Sequence, residues 1–132
     1  MSLNPEQYLK VARQLNEEAS SLSSRDAALN EAKWRSAISR AYYAAFWAGR
    51  SYWQKHSPTY ALKTTGEDHR LVPDNFWALG ADGVLIFKNL TTLLNLRHKA
   101  DYIADVPNLQ TKAVTALTLA NRILNDIASL DD

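Results

Sequence analysis

Arg97 and Asp101 are the two charged residues whose spacing most suggests chemistry. They stand four residues apart and continue a stripe of apolar residues with helical spacing, Ile86, Leu90 and Leu93. Burying either charge alone is costly, whereas residues at i and i+4 of a helix can pair. Two interpretations stay open. The pair is a structural ion pair at a bundle end or subunit contact, or it belongs to a functional cleft. In that cleft Arg97 would meet a phosphate or a developing negative charge.

A second stripe combines cationic and aromatic residues within one helical pattern: Lys33, Arg40, Tyr43, Trp47 and Arg50. Spacings of seven, three, four and three place them on one side of a helix, and Ser36 fills the gap. Aromatic rings stack on nucleic-acid bases while arginines bind phosphates, so the stripe is compatible with RNA contact. Tyr, Trp and Arg are also the residues that dominate protein interfaces. The stripe therefore indicates an interface or partial core, an RNA contact or plain surface.

The histidines do not form a recognisable metal motif. His56, His69 and His98 lack the spacing of a metal site, and there is no HExxH sequence. Glu67 and Asp68 stand beside His69, but acidic residues at a helix start are explained by the helix dipole. No P-loop, GxGxxG or GxSxG motif is present. We therefore expect no metal and no cofactor, and neither nucleotide hydrolysis nor acyl transfer.

The amino-acid composition excludes several further kinds of site and protein class. The 132 residues include no cysteine, which excludes disulfides, thiolate metal sites and a cysteine nucleophile. The net charge is +1, so any nucleic-acid binding must come from a local patch. The start of the chain lacks the pattern of a signal peptide, and no apolar run has the length of a membrane span. These features predict a cytoplasmic protein.

The first half of the chain predicts two helices that would position these residues. Asn4 and Pro5 are typical of a helix start, and the apolar face that follows comprises Tyr8, Val11, Ala12, Leu15, Ala19 and Leu22. A long helix from about 26 to 56 has a bulky stripe, namely Ile38, Tyr42, Ala45, Phe46, Gly49, Tyr52 and Trp53. Its second stripe consists of small residues, Ala37, Ala41, Ala44 and Ala48. Two such stripes predict packing on more than one side.

The second half predicts up to three further helices. A loop over 58–67 precedes a short helix over 67–79 whose length Pro73 limits. Asp82 is a candidate cap for a helix ending near Tyr102, and Pro107 lies in the first turn of the last helix. The buried stripe of that last helix is Ala113, Leu117, Ala120, Leu124 and Ile127. No stretch shows period-two alternation, so we predict an all-α bundle of four or five helices forming one domain over 1–132.

Two sequence motifs resemble a known family. Residues 40–46, Arg-Ala-Tyr-Tyr-Ala-Ala-Phe, resemble the R-x-YYA-x-F signature of small prokaryotic HEPN-domain proteins. Residues 97–102, Arg-His-Lys-Ala-Asp-Tyr, resemble the R-x-x-ADY segment of that family. His69 lies between the two, where many relatives carry a histidine at the start of a short third helix. The resemblance spans roughly residues 5 to 130.

The resemblance implies an up-and-down helical bundle that forms a homodimer. It also implies a role in RNA-directed conflict or toxin–antitoxin systems, often with a minimal nucleotidyltransferase as partner. Catalytic members of the family are metal-independent endoribonucleases. Their R-x(4–6)-H motifs face each other across the dimer cleft.

This chain departs from the catalytic motif of the family. Tyr102 stands where the shortest spacing from Arg97 would place the histidine, and His98 follows Arg97 directly, on another face. Histidine exchanges protons near neutral pH, whereas tyrosine, with a reference pKa of about 10, does so poorly. Arg50 and His56 satisfy R-x5-H by number, but they lie outside the family's catalytic segment.

Three hypotheses follow for the function. The first is a non-catalytic or degenerate HEPN-like dimer that binds RNA or a nucleotidyltransferase through a cleft around Arg97, Asp101 and Tyr102. Residues of the cationic and aromatic stripe would line the same cleft or the dimer contact. The second is an endoribonuclease toxin in which Arg97 acts with His98 or Tyr102. The third is a purely structural helical interaction module.

Overall fold

The computed structural model describes residues 4–21, 26–56 and 66–131, which form five α-helices and no strand. The helices are α1 (Pro5–Ala19), α2 (Ala27–His56), α3 (Asp68–Trp77), α4 (Ala81–Tyr102) and α5 (Leu109–Ser129). The predicted all-α helical bundle is confirmed.

The first helix begins as predicted, and its predicted apolar face is buried or half-buried at Tyr8, Ala12, Leu15 and Ala19. The Asn4 side chain accepts a hydrogen bond from the Glu6 backbone N–H, and Pro5 occupies the first turn. Leu9, Ala12 and Ala19 are buried. Val11, predicted to be buried, is 39% exposed, because the face turned to α2 and α5 is centred on Leu9 and Ala12. Leu22, also predicted for this face, lies outside the described residues.

The long α2 helix is the centre of the bundle and contacts each of the other four helices. Both predicted stripes are present. The bulky stripe is buried from Ile38 to Gly49 and half-buried at Tyr52 and Trp53. Of the small residues, Ala37, Ala41 and Ala44 are fully buried, while Ala48 is half-buried. Small side chains at these positions allow neighbouring helices to approach α2 closely.

The short α3 helix packs against the far end of α2. A Cβ atom on Gly49 would lie 2.9 Å from Cγ1 of Val72, so a larger residue at this position would force the Val72 side chain to shift. Pro73 lies inside α3 and does not limit its length, contrary to prediction. It is buried in the second turn, and the helix continues to Trp77.

The predicted starts of the last two helices are wrong in detail. Gly80, with a φ of 80°, takes the capping position of α4, and Asp82 is the second residue of the helix. Pro107 precedes α5 in a turn, and Asn108, with a φ of 57°, occupies the capping position. The predicted core of α5 is otherwise confirmed at Ala113, Ala120, Leu124 and Ile127. Leu117 is half-buried, and the core also includes Ala116 and Ile123.

Contacts between the ends of helices show that the four long helices alternate in direction. Glu18, near the end of α1, pairs with Lys33 near the start of α2. Arg35, also near the start of α2, contacts the end of α4. At the opposite end, His56 pairs with Asp131, just beyond α5. Consequently α2 and α5 run one way, and α1 and α4 run the other way. Across the described residues, no helix has the length and apolar character needed to cross a membrane.

Candidate functional site

Arg97 is held by side chains from two helices. Its Nε donates to Oδ2 of Asp101 at 2.9 Å, as the i,i+4 spacing predicts. Its Nη2 donates to the Tyr43 hydroxyl at 3.0 Å and to the Tyr102 hydroxyl at 3.4 Å. The Arg97 side chain is 17% exposed and that of Asp101 28%. The guanidinium is therefore fixed by a carboxylate and two phenols at the surface of the bundle.

Tyr43 joins the two stripes found in the sequence. It belongs to the cationic and aromatic stripe of α2, and it contacts Arg97 of α4 through both its hydroxyl and its ring. The Arg97 guanidinium carbon lies 5.3 Å from the centre of the Tyr43 ring, within cation–π range. The two sets of candidate residues thus form one continuous surface.

A groove opens on this surface between α1, α2 and the end of α4, with a volume of about 470 Å³. It is lined by Tyr8, Ser36, Ser39, Arg40, Tyr43, Trp47 and Asp101. We call it the α1–α2–α4 groove. Its volume falls in the range of small-ligand sites, and its lining combines aromatic rings with groups that donate and accept hydrogen bonds.

Two arginines support the groove without lining it. Arg50 stacks its guanidinium 4.8 Å from the Trp47 ring centre and pairs with Asp68 at 3.3 Å. Arg97 likewise donates hydrogen bonds to Tyr43 and Asp101, two residues that line the groove. Because each guanidinium already has a carboxylate partner, both act to position the groove walls.

Arg40 is the arginine that lines the groove. It is exposed, and no carboxylate among residues 4–21, 26–56 and 66–131 pairs with it. Lys33, predicted on the same stripe, pairs with Glu18 of α1 at 3.1 Å and does not line the groove. The groove therefore presents one cationic side chain for an anionic ligand.

His69 is brought to the same aromatic cluster by α3. Its Nδ1 shares a hydrogen bond of 2.5 Å with the buried Tyr42 hydroxyl, and its ring stacks on Phe46 with centres 4.5 Å apart. Burial lowers the pKa of the His69 imidazole, the Arg97 charge lowers it further, and Asp68 opposes both. Burial raises the pKa of the Tyr42 hydroxyl well above its ordinary value, against the opposing charge of Arg97. Both groups are thus neutral near pH 7.

Asp68 has a second role beside the one that the sequence suggests. It lies in the first turn of α3, where the helix dipole favours an acidic residue, as expected. It is also buried and bonded to Arg50 across the α2–α3 contact. This ion pair fixes α3, and with it His69, beside α2.

The end of α4, which supplies Asp101 and Tyr102, is fixed by Arg35 of α2. Arg35 donates to the carbonyl oxygens of Ala100 and Ile103, each at 2.8 Å, and of Ala104 at 2.7 Å. Its Nε donates to Glu31 at 3.1 Å. The last carbonyls of a helix lack partners within it, so Arg35 satisfies groups that would otherwise be unpaired.

The three residues proposed for catalysis are not equally placed. Tyr102 touches Arg97 and is 64% exposed. His98 is exposed, and its ring lies 5.3 Å from that of Tyr102, centre to centre. Neither His98 nor Tyr102 lines the groove. The structure therefore joins Arg97 with Tyr102, while His98 lies beside the Tyr102 ring.

The alternative R-x5-H pair is not brought together. Arg50 contacts Trp47 and Asp68, whereas His56 pairs with Asp131 at 2.9 Å and stacks on Tyr52. The two side chains thus have separate partners at different places on α2. In the described part of the chain, no three His, Asp or Glu side chains cluster as metal ligands.

Sequence reasoning missed four residues of this region. Tyr8 was assigned to the apolar face of α1 and lines the groove. Ser39 shares the helical spacing of the α2 stripe, a signal that could have identified it. Tyr42 was recognised as a core residue and as part of the motif over 40–46, but not as the hydrogen-bond partner of His69. The contact of Arg35 with α4 gave no signal, because its partners there are backbone carbonyls more than sixty residues away.

Comparison of the chain with known proteins finds no match among protein families, curated proteins or solved structures.

Proposed function

We propose that this protein is a non-catalytic HEPN-like domain that binds single-stranded RNA in the α1–α2–α4 groove. The observation that carries the proposal is the composition of the groove. It combines Tyr8, Tyr43 and Trp47 with Arg40, whose charge has no carboxylate partner among the described residues. Aromatic platforms beside a cationic side chain are the usual means of binding single strands.

Each groove residue has a distinct part in this proposal. Trp47 and Tyr43 offer ring faces on which bases stack, and Arg40 binds a backbone phosphate. Arg50 and Arg97 keep the rings in place and do not reach the ligand. Because two of the three arginines are already paired, we expect weak binding that depends on few phosphates.

The non-catalytic part of the proposal rests on the engagement of Arg97. Its guanidinium contacts Asp101, Tyr43 and Tyr102, and no histidine of the described residues lines the groove. An arginine with these partners acts through the residues that it positions. The endoribonuclease hypothesis, with Arg97 and His98 or Tyr102, becomes an alternative outcome of the same experiment.

The test is fluorescence-anisotropy binding of short single-stranded RNA to the wild type and to matched variants. Trp47→Ala should weaken binding about tenfold, since stacking contributes roughly 1–3 kcal/mol per base. Trp77→Ala is its control, because Trp77 is an exposed tryptophan that lines a different cavity. Equal effects of the two substitutions would contradict the proposal.

Arg40→Ala tests the phosphate contact separately. It should reduce the dependence of log affinity on log salt by about 0.7, the value for one phosphate of a single strand. Arg122→Ala on α5 is the control, since Arg122 is exposed and does not line the groove. The same RNA samples, run on a denaturing gel without added metal, should stay intact. Cleavage that disappears in Arg97→Ala would instead support the ribonuclease alternative.

The resemblance adds two partners to the proposal, a second copy of the chain and a minimal nucleotidyltransferase. Light scattering tests the homodimer, and co-purification with a co-encoded nucleotidyltransferase tests the second partner. The all-helical bundle is compatible with both.

A further inference from the structure

The carboxylate of Asp101 is held in a fixed orientation at one end of the groove. Its Oδ2 accepts hydrogen bonds from Nε of Arg97 at 2.9 Å and from the Ser39 hydroxyl at 3.3 Å. No hydrogen bond from the described residues reaches Oδ1. Arg97 and Ser39 therefore occupy one oxygen and leave the other available to a ligand in the groove.

A ligand group that faces this oxygen must donate a hydrogen bond. An ionised carboxylate accepts only, and it repels the lone pairs of carbonyl oxygens and unprotonated ring nitrogens. The hydrogen bonds from Arg97 and Ser39 to Oδ2 restrain the orientation of the Asp101 carboxylate. Asp101 therefore favours a ligand that places hydrogen-bond donors against this part of the groove wall.

The four RNA bases differ in what their Watson–Crick edges offer to a carboxylate. Guanine presents two adjacent donors, N1–H and the N2 amino group. Adenine and cytosine each place an amino group beside an unprotonated ring nitrogen, and uracil places its single N–H between two carbonyls. Guanine is therefore the base whose edge best fits a carboxylate acceptor.

We infer that the α1–α2–α4 groove selects guanine, with the free Oδ1 of Asp101 accepting hydrogen bonds from both N1–H and the N2 amino group. The base stacks against Tyr43 or Trp47, and its own strand passes Arg40. This inference rests on the proposed function, since it specifies which base the RNA-binding groove accepts. Ser39 and Arg97 are positioning residues for Asp101 and do not contact the base.

The test uses wild-type protein and a set of RNA oligonucleotides, each about nine nucleotides long, that differ at one central base. The base is guanine, inosine, 7-deazaguanine or uracil in an otherwise all-uracil strand. Inosine lacks the N2 amino group, so its oligonucleotide should bind about tenfold more weakly than the guanine one. The 7-deazaguanine oligonucleotide changes only the opposite edge and should bind like guanine.

The possible results separate this inference from the proposed function. Equal affinity for guanine, inosine and uracil overturns guanine selection while leaving RNA binding intact. Loss of affinity with 7-deazaguanine also overturns it, because recognition would then use the other edge. Binding to none of the four oligonucleotides overturns both proposals. These comparisons need no protein variant and so do not depend on the folding of one.

A substitution then assigns the selectivity to Asp101. Asp101→Asn keeps the side-chain shape but turns a pure acceptor into a group that also donates, so guanine and inosine should bind within about twofold of each other. Asp105→Asn is the matched control, because Asp105 lines a different cavity and should retain the tenfold preference. A preference that persists in folded Asp101→Asn protein would show that another residue reads the base.

Discussion

Arg35 and Arg97 both connect α2 with α4, but their guanidinium groups bind different kinds of partner. Arg35 reaches from α2 to the backbone carbonyls of Ala100, Ile103 and Ala104. Arg97 reaches from α4 to side chains, and these border an open groove. The two regions are only one turn apart along α4.

This difference in partners makes Arg35 a structural residue and Arg97 a residue that supports the groove. Backbone carbonyls at a helix end are present in any sequence, and an arginine that satisfies them stabilises the fold alone. A carboxylate and phenols have further hydrogen-bonding capacity, which they can offer to a ligand. Substitutions at Arg35 should therefore change stability most, and substitutions at Arg97 should change binding most.

Arg35→Ala has the largest expected effect on the free energy of unfolding, a loss of about 3 kcal/mol. The variant removes charge-assisted hydrogen bonds and leaves carbonyls at the end of α4 unpaired. Urea unfolding followed by circular dichroism measures it. Arg122→Ala, an exposed control, should stay within about 0.5 kcal/mol of the wild type. An equal loss of stability in Arg35→Ala and Arg122→Ala would contradict the structural role of Arg35.

Arg97→Ala should weaken RNA binding about tenfold while costing less stability than Arg35→Ala, about 1–2 kcal/mol. Tyr43 and Asp101 would lose the group that fixes them, so the groove would be less ordered before binding. Anisotropy and urea unfolding on the same protein sample provide the two values. Arg97→Lys keeps the charge but cannot bond both partners through a planar fork, and it should recover only part of the affinity. A variant that loses stability but binds RNA normally would make Arg97 a second purely structural arginine.

The pH dependence of stability should reveal His69 at the edge of this region. The folded state holds the pKa of His69 below the ordinary value of 6.5, so the unfolded chain binds the proton more readily. The free energy of unfolding should therefore fall as pH decreases below about 6.5, and the contribution is absent at higher pH. His69→Gln removes this titration while the neighbouring Asp68 and Arg97 remain. An unchanged pH profile in that variant would assign the effect to other groups.

His98→Ala has the smallest expected effect, because the side chain is exposed and does not line the groove, and its ring contact is with the exposed Tyr102. Stability should change by less than about 0.5 kcal/mol, and RNA affinity should be the same as in the wild type. A metal-free RNA cleavage assay run alongside provides the stricter comparison. Cleavage in the wild type that is lost in His98→Ala would place a catalytic centre at Arg97 and contradict the non-catalytic proposal.

Local sequence patterns predicted most of the helices and the main ion pair. The alanine spacing of α2 and the apolar spacing of α4 report helical faces directly, because side chains three and four residues apart share a face. The same spacing placed Arg97 beside Asp101. Errors occurred where a neighbouring helix decides the outcome. Val11 has the spacing of a core residue, yet α2 and α5 cover the face beside it.

The chain by itself determined the helical class, the residue types of both candidate stripes and the absence of cysteine chemistry. Only the tertiary structure decided that the two stripes meet at Tyr43, that Tyr8 lines the groove, and that Arg35 fixes the end of α4. The physical reason is the separation along the chain between the residues that interact. Helix periodicity relates residues within a few turns, whereas the groove forms from three helices whose packing depends on the whole core.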